Sequence, residues 1–177
     1  MTALGELQSF DSAAVINYPT KDIIDASQNN KVLVKDAPNT VPDQIRFWGI
    51  AADSHAPVTV HLSGGKGIPG KPGLDWRVQG TEGWLHLTAS GISLNVGAAE
   101  ISLKLYRTGA DEAGEELVLD KDQWDELPLP ARNIARVYEA FRKREWYPDF
   151  EWGVKRHEYI EKIWERFDAL QEVEHGS

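Results

Sequence analysis

Two short alternating runs, Leu74 to Gln79 (LDWRVQ) and Trp84 to Ala89 (WLHLTA), flank Gly80-Thr81-Glu82-Gly83, and they constrain the fold more than any other stretch. Alternation with period two around a glycine-bracketed turn specifies a β-hairpin. With the turn centred on Thr81 and Glu82, antiparallel pairing sets Gln79 opposite Trp84, Arg77 opposite His86 and Asp75 opposite Thr88. One face is then polar. The other carries Leu74, Trp76, Val78, Leu85 and Leu87, a row that requires a second layer to bury it.

The approach to this hairpin contains Gly65, Gly67 and Gly70, which spell G-x-G-x-x-G after a plausible strand. That fingerprint binds a dinucleotide only when it opens a helix whose first N–H groups receive the pyrophosphate. Pro69 and Pro72 oppose a helix, and a strand follows. The run is read as a flexible strand connection, and no cofactor is expected.

Composition narrows the function. The net charge is -9 and lysines and arginines form no run, so the electrostatics of a nucleic-acid or anionic-membrane binder are missing. The absence of cysteine excludes disulfides, thiolate metal sites and a cysteine nucleophile, and suits a reducing compartment. MTALGELQSFDSAAV reads as neither signal peptide nor membrane span, so a cytoplasmic protein of one domain, 1–177, is expected.

Elsewhere, Leu7 to Tyr18 suggests a first strand ending at Pro19, and Thr20 to Lys35 reads as irregular apart from the apolar KVLVK. Gln44 to Ala52 and Pro57 to Ser63 form a second hairpin through DSHA, with Trp48 opposite His61, Ile50 opposite Thr59 and Arg46 opposite Ser63. One face gathers Arg46, Trp48, Thr59 and His61. The other has Ile45, Phe47, Val58, Val60 and Leu62, expected as core. Further strands are read at Ile92 to Val96, Ile101 to Arg107 and Leu117 to Leu119, around an acidic tip at Thr108 to Glu116.

From Leu129 the period becomes helical. Pro130 suits a helix start, with Ile134, Val137, Tyr138 and Phe141 on one face; Asp149 can cap a second helix with Ile160, Ile163, Trp164 and Phe167 as its buried stripe. The tail from about 171 is expected to fray. Hairpins followed by helices predict an α+β fold: a mainly antiparallel open sheet of about six or seven strands with helices packed on one face.

His61 and His86 are the candidate catalytic pair, because both project from strands toward a polar face and imidazole exchanges protons near neutral pH. Arg46, Trp48, Arg77 and Trp84 are the candidate substrate-binding residues, with the arginines as anion or carbonyl partners and the indoles as walls. The bland alternative is that the histidines are ordinary strand residues, since spacing fixes no carboxylate beside them. His157 is explained by an i,i+4 contact with Glu161. No metal site can be drawn from the His and Asp spacing, Asp120 to Glu126 reads as a solvated loop, and no serine sits in a nucleophile motif. Whether the two polar hairpin faces coincide depends on how the hairpins join. Lys104 is taken as a position remote from them.

Five stretches together resemble the C-terminal domain of the Gfo/Idh/MocA oxidoreductases, especially the branch with the fungal galactose-pathway repressor. They are LGE at Leu4 to Glu6, TVPDQI at Thr40 to Ile45, GKPGLDWRVQGTEGWLHLT at Gly70 to Thr88, ELPLPARNIARVYEAF at Glu126 to Phe141 and YPDFEWGVKRHEYIEKI at Tyr147 to Ile163. The resemblance implies a sheet domain that, in full-length members, follows a Rossmann domain with its NAD(P) site and catalytic lysine, and a segment with a catalytic histidine. None of those residues has a counterpart here, so the resemblance supplies no catalytic or cofactor residue.

Three functions of different class follow. The first is a cofactor-independent enzyme catalysing a non-redox cyclisation or isomerisation of an organic substrate, where positioning alone supplies roughly 7–11 kcal/mol. The second, implied by the repressor branch, is a dimerising regulatory or binding module. The third is an NAD(P) oxidoreductase part completed by another chain. Partners expected are a small-molecule ligand and a second copy of the chain, since an open sheet face bearing Trp48 and Trp84 favours association.

Overall fold

The computed structural model describes residues 5–91, 100–110, 113–118 and 121–175. The chain divides into two compact units, one of Met1–Gly65 with Pro148–Ser177 and one of Lys66–Tyr147.

In the first unit, β1 (Leu7–Val15), β4 (Gln44–Ala51) and β5 (Pro57–Ser63) form an antiparallel sheet in the order β1-β4-β5, and β2 (Thr20–Asp25) and β3 (Lys31–Pro38) form a separate hairpin. The helix α2 (Phe150–His175) lies on the sheet face that carries Phe10, Ser12, Ala14 and Phe47. Phe10 stacks tilted against Phe47 at 5.8 Å and against Tyr159 of α2 at 5.1 Å. Ala14, Val58 and Phe167 are buried there. Polar ties fix the helix: Arg156 grips Glu6 through two 2.8 Å bonds, and Arg166 pairs with Asp11 at 2.8 Å. Asp149 caps α2 by accepting from the Trp152 N–H, as its position predicts.

In the second unit, β6 (Leu74–Gln79), β7 (Gly83–Ala89), β8 (Ile101–Arg107) and β9 (Glu115–Glu116) form an antiparallel sheet in that order. Gly83 is required where β7 starts, because its φ is +154° and a Cβ would run into the Tyr106 carbonyl oxygen. The helix α1 (Leu129–Lys143) follows a short 3-10 turn at Gln123–Glu126.

The α+β class and the antiparallel pairing stand, but the single sheet of about six or seven strands does not. Among the described residues there are nine strands in three sheets. The exposed glycine and proline run between Ser63 and Leu74 separates β5 from β6, which join different sheets, and a strand rather than a helix follows it. Thr20 to Lys35, read as irregular, folds as β2 and β3. The expected strand at Ile92 to Val96 and the residue Leu119 lie outside the described residues, and β9 precedes Leu117. α2 continues through His175, past Leu170.

Packing departs from expectation at both helices. On α1 the apolar stripe is exposed, with Ile134 at 57%, Tyr138 at 71% and Phe141 at 62%. The opposite side of the helix is the anchored one: Arg136 bonds Asp122 and Asp125 at 2.8 Å each, and Arg132 donates to the Leu127 carbonyl. The acidic segment read as a solvated loop is thus a clamp, closed by a reciprocal capping box between Asp122 and Asp125. On α2, Phe167 is buried, whereas Ile160 and Trp164 stay partly exposed because the helix lies over β1 at the sheet margin. Leu62, expected as core, is exposed on β5 at the other margin.

Candidate functional site

The polar face of β6, β7 and β8 is built by register. Arg77 lies opposite His86, and His86 lies opposite Lys104, so three basic side chains cross the sheet in one row. The next row holds Asp75, Thr88 and Ser102, and the row toward the turn holds Gln79, Trp84 and Tyr106. Lys104 is therefore part of this face and not remote from it.

Asp75 organises the face. Its carboxylate accepts Nε and Nη2 of Arg77 at 2.9 and 2.8 Å, and its Oδ1 lies 3.1 Å from His86 Nε2. The Arg77 fork, helped by His86, holds the Asp75 carboxyl below the usual carboxylate range despite partial desolvation, and in return Asp75 raises the Arg77 pKa. An ionised carboxylate only accepts, so His86 presents Nε2–H to it; in the neutral ring the lone pair then sits on Nδ1. Glu116 completes the row, accepting from Ser102 Oγ at 2.8 Å and lying 3.9 Å from Lys104 Nζ. Trp84 stands beside this network 44% exposed, and Tyr106 is braced by Gly114, where a Cβ would come within 2.7 Å of the ring.

Asp75 was missed as a site residue although its signal is in the sequence. Residues 75 and 77 share a face because they are two apart on a strand, and the diagonal cross-strand neighbour of Asp75 is His86. Attention to directly opposed pairs alone hides that diagonal.

Arg46, Trp48 and His61 lie on one face of the first unit's sheet, in a register that differs from expectation. Arg46 faces His61, Trp48 faces Thr59, and Gln44 faces Ser63. The turn closes one residue earlier on each strand, through the Ala51 N–H to Ala56 carbonyl bond and with His55 at φ 54°. A two-residue register change preserves parity, so the face is kept and the partners change. Ser63 Oγ donates to Gln44 at 2.7 Å and lies 3.3 Å from His61 Nε2. Trp48 is 39% exposed. Each trio thus belongs to its own unit.

Other hollows are shallow. One of about 500 Å³ lies along the Asp122 and Arg136 clamp, and another of about 390 Å³ runs along α2 past Phe150, Val154 and His157. Among the described residues no three His, Asp or Glu side chains converge as metal ligands, and no helix is long and apolar enough to cross a membrane.

Solved structures that share the fold include three of Gal80p. Two are super-repressor mutants of Gal80p from Saccharomyces cerevisiae. One matches with a TM-score of 0.65 and 22% identity over 91% of this chain and 42% of its own, the other with 0.57 and 20% over 77% and 33%. The third, the transcriptional regulator Gal80p from Kluyveromyces lactis, matches with a TM-score of 0.65 and 18% identity over 92% of this chain and 42% of its own. The chain thus spans less than half the length of each. No curated protein matches the sequence. The family model described as the Gal80p C-terminal domain matches residues 1–89, a stretch that runs from β1 through the hairpin carrying Asp75, Arg77 and His86. The chain belongs to the Gal80p C-terminal-like domain family.

Proposed function

We propose that this chain is a regulatory binding module of the Gal80p kind, whose working surface is the polar face of β6, β7 and β8. The observation that carries this reading is the Asp75 carboxylate, which ties Arg77 and His86 into one fixed patch beside the exposed Trp84. Exposed indoles and arginines are among the residue types that dominate protein interfaces, and an arginine already held by a carboxylate loses little side-chain entropy when it is covered. The family relationship supports the same reading, as does the fold shared with the Kluyveromyces lactis transcriptional regulator. A second copy of the chain is among the partners proposed, as is a small-molecule ligand held between Trp84 and the basic row.

The test compares proteins bound by the tagged chain with those bound by the Arg77→Ala/Trp84→Ala variant, both expressed in the source cells. One set of partners is expected to disappear with the variant and to persist with Lys155→Ala, which alters α2. Identical partner sets for all three would overturn the reading.

One observation favours a second reading, a non-redox acid–base enzyme. The Asp75–His86 contact is the orienter and base pairing of such catalysts, with Nδ1 as the proton acceptor and Trp84 as a substrate wall. On the other unit His61 shares a face with Arg46 and Trp48 but has the Ser63 hydroxyl beside it in place of a carboxylate. Substrate turnover by the purified chain that is abolished in His86→Ala would decide for it. A third reading is part of an NAD(P) oxidoreductase completed by another chain. Calorimetry detecting NAD(P)H binding only when a second chain is added would favour that one.

A further inference from the structure

Among the described residues the hairpin of β2 and β3 pairs only with itself, and its apolar residues are open to solvent: Ile23, Ile24, Val32, Leu33 and Val34 are all between 47% and 58% exposed. An isolated two-stranded hairpin is at best marginal in water, and a third strand is the usual remedy. The base of this one is nevertheless firmly set. Asp43, its side chain 1% exposed, accepts the N–H groups of Asn17 and Tyr18 at 3.1 and 2.9 Å, and Asn39 bonds back to Tyr18 and Pro19.

The two edges of the hairpin differ. Between the pairs Lys21↔Ala37 and Ile23↔Val34, and again between Ile23↔Val34 and Ile24↔Val32, β3 spends one residue more than β2. Both bulges therefore lie on β3, and Asp36 takes a φ of 53° at the first. Bulges twist a strand and blunt its outer edge against further pairing. β2 has no extra residue, and the nearest proline, Pro19, precedes it. Its outer edge is regular and carries no bulge, so its charges alone decide what it can pair with.

We propose that β2 pairs antiparallel with β2 of a second copy of this chain, across a twofold axis at Ile23, giving a sheet in the order β3-β2-β2-β3. Charge selects this register. Centred on Ile23, the pairing sets Lys21 of each copy opposite Asp25 of the other and brings the two Ile23 side chains together. Directly opposed residues share a face, so the neighbouring symmetric registers are centred on Ile24 and on Asp22: the first sets Asp25 against Ile23 and Lys21 against Ser27, with no opposite-charge pair, and the second opposes Asp22 with itself. An isologous pairing uses every favourable contact twice. Lys21 is available for it, since its ammonium is half exposed and only loosely associated with Asp43 at 3.9 Å.

The absence of cysteine makes the register testable. Directly opposed residues of an antiparallel pair have Cα atoms about 4.5–5.5 Å apart, within the range of about 4.4–6.8 Å that a disulfide spans. Ile23→Cys in the full chain should therefore form a disulfide-linked dimer under mild oxidation. Leu33→Cys, somewhat more exposed but on the bulged strand, should remain largely unlinked. Adding Lys21→Glu to Ile23→Cys should lower the linked fraction about two- to tenfold, and Lys21→Gln should lower it less. These sites are exposed, and unchanged circular dichroism would establish that each variant folds. Equal linkage of Ile23→Cys and Leu33→Cys, no linkage of either at hundreds of micromolar, or insensitivity to Lys21→Glu would overturn the proposal.

Discussion

Asp75 holds two basic side chains with one carboxylate, and that double duty sets what its loss would do. All three groups remain partly exposed, so the network is screened by water and contributes little to stability. Asp75→Asn is expected to lower unfolding free energy by less than about 1 kcal/mol in urea titrations, while releasing Arg77 and His86 from their fixed positions and weakening whatever the face binds at least as strongly as His86→Ala does. A large loss of stability with binding intact would show the cluster to be structural. Gly83 is the opposite case, a residue with no chemistry and a large structural effect. Gly83→Ala must adopt positive φ and displace the Tyr106 carbonyl, and a loss of about 1–3 kcal/mol in the same titration is expected.

At the scale of elements, strands were more legible than what lies across them. The parity of Arg77, Trp84 and His86, and of Arg46, Trp48 and His61, is fixed by alternation and is observed. The partners across β4 and β5 depend on where the turn closes, and His55 in a left-handed conformation is a choice that Asp53-Ser54-His55-Ala56 does not announce. The β2 and β3 hairpin escaped because two bulges break the alternation that reveals a strand. On α1 the apolar residues were read correctly as one face, but the expected packing of the helices did not foresee that this face stays exposed. Helical periodicity identifies a face, whereas the residues that seat it, Arg132 and Arg136, are scattered among polar ones and make their bonds outside the helix. α1 also carries a pH signature. Arg142, with Lys143, holds the Glu139 carboxyl at about 2, against 4.5 ordinarily. A depressed carboxyl stabilises the fold above its unfolded value and ceases to as it is protonated. The contribution of this pair should be complete above about pH 4.5 and vanish as pH falls toward 2. Comparing melting temperatures of the wild type and Glu139→Gln across that range should show the difference shrinking with acid; a constant difference would refute the assignment.

As a whole molecule, the chain buries little among its described residues. No large side chain is less than 2% exposed, and Val32, Leu33, Ile134, Phe141 and Phe150 present apolar surface to water. Monomeric proteins seldom leave this much uncovered. The isolated chain is expected to enhance the fluorescence of anilinonaphthalene sulfonate at neutral pH without denaturant, and the enhancement should fall when a true partner is added. A chain that leaves the dye dark would already have covered these surfaces by association.

The seating of α1 by its charged side makes ionic strength a conformational variable for this protein. Arg136 and its two carboxylates are partly exposed, so their attraction fades as the screening length shrinks from about 10 Å at 0.1 M salt to about 3 Å at 1 M. Apolar association does not weaken in the same way. Added sodium chloride should therefore loosen α1 from the Gln123–Glu126 turn, read as faster amide hydrogen exchange in α1 while β7 is unaffected. The aromatic stripe is exposed in either case, so a partner that binds through Tyr138 and Phe141 would keep its affinity in the salt that dissolves an ordinary charged interface.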